Sequence, residues 1–521
     1  MIGQQENSEA AANGVAAFVG VAATAAVFYA GLLFPSFSVD SWTFFELSRT
    51  VFTDFFRYNT IRQYANPDPY SASYPPGWPV LIAVTRAAGL DFGIYTGYLL
   101  NAVISLGLLF ILMRLAKRVG MPGWGGAIVY LCLLSFKPYL AEEPLAAMSM
   151  ALSLLLFFGG LTVLAGPTLG VVRAGCVGIL ISGACATRFD SFPAVLVIAV
   201  ALLLIPGQTW GVRLARTASF GVAVALVLSP WIAYNMNHFG KPFFSDESRQ
   251  VLATHPNAVL DYYSEPPATL FTQPEQWFAG LFSKKLTRIL RGAWHALISS
   301  LLPGLAVVWL VVGWGATSTP TDLPAQPRWF TWLGLCLIPV LMAPVLIVGY
   351  GMIRRYYTGP MLLIYFIALP TFLLRLPQPI FGPWRVGALL GVLGIGAVVS
   401  LIPETLPAGF HPLNPRASLV SSVPTEEMLA LKAAVRDDAA GRAHRLLITD
   451  DYQAARFGAV TGEPTALPPR LRGNLSTCLR DWAITHVYDS NDWHKQHEHL
   501  GVVFEPLETP KLLRIRFVKP S

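Results

Sequence analysis

The stretch "FPSFSVDSWTFFELSRT", residues 34 to 50, follows a long apolar run without a single charge and sets Asp40 a few positions beyond its end. That run, residues 14 to 34, is long enough to cross a hydrocarbon core of ~30 Å, which takes roughly 20 helical residues. A carboxylate at the mouth of such a span is costly unless water or a partner compensates it. It is therefore either a solvated end of the helix or a group held there for chemistry, and the rest of the chain has to choose between the two.

The rest of the chain is equally apolar. Of 521 residues, 54% are hydrophobic and 13% charged, and the mean hydropathy is +0.51; a water-soluble globule does not have this composition. The 31 Phe, 14 Trp and 18 Tyr suit lipid and the headgroup belts. The net charge of +7 matches Lys and Arg on cytoplasmic loops, some of them against anionic membrane lipid. Without a basic run interleaved with aromatics, nucleic acid is not an expected partner. Cys132, Cys176, Cys185 and Cys336 lie in apolar stretches and Cys478 in the polar tail, a spacing that makes neither a disulfide framework nor a CxxC metal site. "MIGQQENSEAAANG" lacks the basic segment and cleavage site of a removable signal peptide, so the first span is expected to be retained.

About eleven segments have the length and character of spans. They lie near 14–34, 93–113, 121–140, 145–165, 168–187, 192–206, 217–235, 293–315, 329–350, 358–374 and 386–403. With the N-terminus in the cytoplasm, Arg114, Lys117, Arg118, Arg173, Arg213, Arg216, Arg328, Arg375 and Arg385 fall on inner turns, as the positive-inside bias requires. The odd count puts the C-terminus outside. Two outer stretches exceed a turn: residues 36–92, whose apolar residues recur at helical spacing among charges and prolines and read as interfacial helices, and residues 236–292. The composition becomes that of a soluble protein after residue 405. There "TEEMLALKAAVRDDAA" reads as a capped helix, "RLLIT" as a buried strand, "DDYQAARFGAVTG" as a helix closed by Gly462 and "LLRIRFV" as a last strand. The expectation is an all-α polytopic membrane domain over 1–405 and a small extracytoplasmic α/β domain over 406–521.

On the outer side this topology gathers more than Asp40. Glu142 and Glu143 sit in the turn "KPYLAEEPL", either as a polar turn with charges favourable to the next helix N-terminus or as site acids. Arg188 in "ATRFDSFP" and Arg354 and Arg355 in "MIRRYYTGP" defy the inside bias. They either snorkel to headgroups or make a place for phosphate, whose oxygens match a guanidinium fork. The dense histidines of "WHKQHEHL" (His494, His497, His499) match no common zinc spacing and read as a solvated face.

In this order the motifs resemble the integral-membrane glycosyltransferases of the GT-C fold, especially bacterial relatives of aminoarabinose transferase and the protein O-mannosyltransferases. Those enzymes carry an acid after the first span, matched by Asp40, and a Pro-Pro motif closing the first outer loop, matched by "YPPGWPVLI" at Tyr74, Pro75 and Pro76. Their acid-Pro turn is matched by Glu143 and Pro144, and their Arg-containing turn after the fifth span by Arg188. Their Pro-Trp, Asn and Gly after the seventh span are matched by "SPWIAYNMNHFGKP", which contains Asn235 and Lys241, and their Arg-Tyr motif by "RRYYTGP", which contains Tyr356. The lysine before Pro-Pro in the aminoarabinose branch is absent; Ser73 and Tyr74 stand there, and its work on donor phosphate passes to Arg188, Lys241 or Arg354.

The resemblance implies transfer of a sugar, with inversion, from a polyprenyl-phosphate donor to a hydroxyl of a glycan, lipid or protein acceptor on the outer face of a bacterial inner membrane. Asp40 is the implied general base, helped by Glu143. Glu142, Tyr74, Arg188, Asn235, Lys241, Arg354, Arg355 and Tyr356 are implied to bind the substrates. No cofactor is required, although some enzymes of this fold hold a divalent cation between outer-loop acids. The C-terminal domain is expected to pack over the outer loops and help select the acceptor. The alternatives are a transporter or flippase of lipid-linked sugars, which usually shows repeats and mid-membrane charges absent here, and an envelope polysaccharide polymerase or ligase.

Overall fold

The computed structural model describes residues 2–33, 37–57, 60–61, 70, 74–118, 123–135, 145–166, 169–188, 191–204, 208–240, 242, 275, 279, 424–468, 475–496 and 502–517. The chain divides into two compact units.

The first unit is a set of helices. It takes in α1 (Ile2–Leu33), most of α4 (Tyr95–Arg118), α5 (Gly123–Ser135), α6 (Met150–Leu164), α7 (Val171–Thr187), α8 (Phe192–Leu203) and most of α9 (Trp210–Phe239). Each of the first seven predicted spans falls on one of these helices. Glu9–Leu32 within α1, together with α4 and α9, is long and apolar enough to cross a membrane; α6 and α7 are shorter. The four spans predicted after residue 292 lie outside the described residues.

Where the solvent of a helix is lipid, hydrophobicity cannot hold helices to one another, so small residues and polar side chains take over. A Cβ on Gly126 of α5 would fall inside the Leu112 carbonyl of α4, and one on Gly178 of α7 would press on the Phe220 carbonyl of α9. Both glycines let backbones touch. Thr24 of α1 shares a hydrogen bond with the Tyr130 hydroxyl of α5 at 2.7 Å, and Asn101 Nδ2 of α4 donates to the Met148 carbonyl at 2.9 Å. Pro230 inside α9 has no N–H for the Leu226 carbonyl, and Ser229 Oγ donates to that oxygen at 2.9 Å.

The second unit takes in Phe37–Gly97 and Val420–Ser521. Its helices are α2 (Val39–Thr50), α3 (Gly77–Ala87), α10 (Glu426–Ala439), α11 (Asp451–Thr461) and α12 (Leu475–Asp481). Its strands are β1 (Thr60–Ile61), β2 (Leu446–Ile448), β3 (Thr465–Ala466), β4 (His486–Tyr488), β5 (Val502–Pro506) and β6 (Leu512–Phe517). They form one sheet in the order β1-β3-β2-β4-β6-β5, parallel from β1 to β4 and antiparallel through β6 and β5. The strand read in "RLLIT" is β2, near the centre of this sheet. Leu447 joins one apolar cluster while Leu446 and Ile448 join the other, so both faces are covered. Thr425 caps α10 and Gly462, at φ 68°, ends α11 in the left-handed conformation.

Two readings of the first outer loop need correction. The sheet is not confined to the tail, because β1 comes from residues 60 and 61 and lies parallel to β3, Thr60 opposite Thr465 and Ile61 opposite Ala466. Nor is α2 an interfacial helix: Ser41 to Ser48 are all buried, leaving no continuous face for headgroups. Its aromatic pattern is spent on α3 and α11, against which it packs.

Charges inside this unit are paired. Glu463, 1% exposed, meets Lys432 at 3.2 Å, Arg436 at 3.0 Å and His444 at 2.6 Å. Burial pushes its carboxyl pKa up, but hydrogen bonds from Arg436, His444 and Lys432 outweigh that and hold it below the usual value. His486 is held neutral, with its pKa depressed to about 4 by burial and then by the charges of His444 and Arg442. Its Nε2 lies 3.0 Å from Asp438 Oδ2, and that carboxylate is already paired with Arg514. An unfolded histidine titrates near 6.5, so between about pH 4 and 6.5 the unfolded chain binds the extra proton. Stability is thus full above pH 6.5 and declines as pH falls toward 4. Thermal unfolding of the full chain, followed by intrinsic fluorescence, is expected to shift to lower temperature across this window, and His486→Gln is expected to flatten that part of the curve.

Candidate functional site

Asp40 sits in the first turn of α2, and the sequence around it explains why the helix starts there. Ser38 is the N-cap: its hydroxyl accepts from Ser41 N at 3.3 Å while Ser38 N donates to Ser41 Oγ at 2.8 Å. An acid just inside this end also meets the positive end of the helix dipole, and Arg49 completes the pattern in the last turn.

The residue facing Asp40 comes from the Pro-Pro motif. Tyr74 Oη donates to Asp40 Oδ1 at 2.5 Å, across a sequence separation that no local pattern reveals. Tyr74 is 8% exposed and packs its ring on Phe44 of α2, with centroids 4.7 Å apart. The motif places the tyrosine by starting a helix directly after it. Pro76 is the N-cap of α3 and Pro79 lies in its first turn, where a missing N–H costs nothing. Trp78, fully buried, and Ile82 then anchor α3.

Two charged residues of this loop do structural work. Glu46, 3% exposed, accepts from Thr60 N at 3.2 Å and so ties β1 back to α2. Arg86, the cation inside an otherwise apolar stretch, lies 5.1 Å over the Phe45 ring, donates to Ser48 Oγ at 3.3 Å and pairs with Asp91 at 2.8 Å. The Arg86 hydrogen bond, working against burial, keeps the Asp91 carboxyl below its ordinary range. Glu46 was not singled out in the sequence, since its partner is a backbone N–H that becomes its neighbour only when β1 joins the sheet.

The other candidates are distributed as follows. Arg188 is the C-cap of α7, in extended conformation, with its N–H on the Ala184 carbonyl at 2.8 Å. Asn235 is fully buried on α9, one residue after Tyr234, whose ring stacks on Trp231 at 5.2 Å. Both belong to the helical unit, whereas Asp40 and Tyr74 belong to the other. Glu142, Glu143, Lys241, Arg354, Arg355 and Tyr356 lie outside the described residues.

The histidine-rich turn is not simply a solvated face. His494 Nδ1 is 2.5 Å from Asp489 Oδ2, and that carboxylate also accepts from the backbone N–H groups of Asn491, Trp493 and His494. Burial raises the Asp489 pKa, and the hydrogen bonds from His494, Trp493 and Asn491 bring it below the usual value. This is a loop anchor; His497 and His499 lie outside the described residues. Among the described residues no three His, Cys, Asp or Glu side chains gather as a metal site would require.

Glu46→Leu removes the acceptor of a buried backbone N–H, a loss of about 1–3 kcal/mol. The expected outcome is faster proteolysis in residues 57–74 of the full chain, with melting of the helical unit unchanged.

No family model and no curated protein matches this sequence. Solved structures do. The arabinofuranosyltransferase AftD from Mycobacteria aligns over 96% of this chain and 40% of its own, with a TM-score of 0.51 at 14% identity. The Archaeoglobus fulgidus oligosaccharyltransferase in its apo form aligns over 91% and 69%, with a TM-score of 0.49 at 10% identity. ArnT from Cupriavidus metallidurans, bound to undecaprenyl phosphate, aligns over 97% and 99%, with a TM-score of 0.46 at 12% identity. This chain thus spans well under half of AftD, and at such identity the likeness concerns architecture alone. The architecture is the GT-C fold of integral-membrane glycosyltransferases.

Proposed function

We propose that this protein transfers a sugar from a polyprenyl-phosphate donor to an acceptor hydroxyl at the outer face of a bacterial inner membrane, with Asp40 as general base. The observation that carries the reading is the Tyr74–Asp40 hydrogen bond, found just past the end of α1 in a chain with the GT-C fold. A carboxylate needed only for solubility has no use for a buried tyrosine aimed at one of its oxygens. One whose orientation matters does, because general base catalysis demands a fixed direction toward the proton it takes.

In the proposed step the acceptor O–H gives its proton to the Asp40 carboxylate as the oxygen attacks the anomeric carbon. The bond from that carbon to the phosphate oxygen breaks, and the lipid phosphate leaves with the electron pair. Attack and departure on opposite faces invert the anomeric centre. Tyr74 fixes the carboxylate plane through Oδ1. Arg188, Arg354, Arg355 and Lys241 are assigned to the negative charge growing on the leaving phosphate, Glu142, Glu143, Asn235 and Tyr356 to holding the two substrates. The acceptor is a glycan, lipid or protein hydroxyl.

The test uses purified full chain and a panel of undecaprenyl-phosphate monosaccharides (pentose, hexose and amino sugar), with release of undecaprenyl phosphate as the readout. The active sugar and the acceptor come from mass spectrometry of envelope glycans in cells with and without the gene. Asp40→Asn is expected to lower turnover by ~10²–10⁴-fold while undecaprenyl phosphate still binds. Tyr74→Phe, which keeps the ring on Phe44, is expected to lose roughly tenfold, about the value of one hydrogen bond to a charged group. Near-normal transfer by Asp40→Asn removes the assigned base.

A further inference from the structure

The helix that carries Asp40 is held by the C-terminal domain along its whole length. Val39, the residue before Asp40, packs against the apolar cluster of Leu431, Val435, Ile448 and Phe457. Two residues after Asp40, Trp42 is fully buried with its ring edge-on to Tyr452 of α11 at 6.2 Å, and the Arg456 guanidinium lies 5.9 Å from it. At the far end of α2, Arg49 Nη1 donates to the Ala459 carbonyl at 2.7 Å. Beyond the helix, β1 lies so close to α11 that a Cβ on Gly458 would collide with Thr60 Oγ1.

Every one of these partners lies on α11 or in the cluster beneath it, and α11 is itself fixed at both ends. Asp450 caps its start by accepting from Gln453 N at 2.7 Å, and Gly462 closes it. We propose that α11 is the splint that sets the position of Asp40, with Tyr452, Trp42 and Arg49 as positioning residues. The C-terminal domain is then part of the machinery of turnover and not only a selector of acceptors. The inference rests on the general-base reading of Asp40. Its physical basis is leverage: α2 has twelve residues, and a helix this short does not hold itself in place without tertiary contacts. A displacement of ~1 Å at a catalytic group is enough to cost on the order of 10²-fold in rate.

The experiment compares Tyr452→Ala, Tyr452→Phe and Arg49→Met in the full chain by hydrogen exchange, undecaprenyl phosphate binding and turnover. Tyr452→Phe keeps the ring against Trp42 and is expected to match the parent. Tyr452→Ala is expected to raise deuterium uptake in residues 39–50 while 446–448 and 512–517 stay protected. It is also expected to lower turnover about tenfold or more while undecaprenyl phosphate still binds with unchanged stoichiometry, so that the loss is not a loss of folded protein. Arg49→Met, which leaves α11 intact, is expected to behave in the same way and stands in should Tyr452→Ala unfold the domain. Parent-like turnover in both Tyr452→Ala and Arg49→Met, alongside an inactive Asp40→Asn, overturns the splint and leaves the base reading standing. Parent-like uptake in 39–50 overturns it as well, since α2 then holds without α11. An active Asp40→Asn overturns both.

Discussion

The contact between α2 and α11 joins the outer loop to the tail within the second unit. A twelve-residue helix with eight consecutive buried positions needs surfaces on every side, and the chain supplies them from far apart in sequence: α3 from the same loop, α11 from the tail. Trp42 is the centre of that arrangement. Trp42 is edge-on to Tyr452, with Phe37 edge-on at 6.4 Å and Phe45 at 6.2 Å, so packing fixes the capped start of α2 that carries Asp40.

The same contact explains why the loop contributes a strand. With α2 docked, Thr60 and Ile61 pair in parallel with β3 and form the edge of the sheet. Glu46 then finds Thr60 N, and Gly458 permits the approach. Covering an edge strand with a neighbouring segment also removes a row of unpaired backbone groups. The outer loop and the tail belong to one compact unit, although the apolar helices of the other unit separate them in sequence.

The helical unit follows a different logic. Its helices meet where glycine allows backbones to touch, at Gly126 and Gly178, and where hydroxyls bridge them, at Thr24 and Tyr130, while the Asn101 amide ties α4 to the turn before α6. In lipid these are the available forces. In the other unit ordinary apolar burial is available, and its two clusters, one on each face of the sheet, show that it is used.

Much of this was legible in the residues themselves. Apolar runs of span length located the helices of the first unit, because a chain in lipid must satisfy its backbone internally and leaves a composition that says so. Thr425 and Gly462 announced the start of α10 and the end of α11, since caps are local chemistry. Asp40 and Tyr74 were each legible as candidates by motif. What the residues did not show is that the two touch, that β1 belongs to the tail's sheet, or that the aromatic pattern of α2 faces protein. Periodicity reports that a helix has an apolar side, and it carries no label for what covers that side. Only the folded chain, by bringing α11 against α2, decided that the covering surface was protein and that Asp40 would be held from the C-terminal domain.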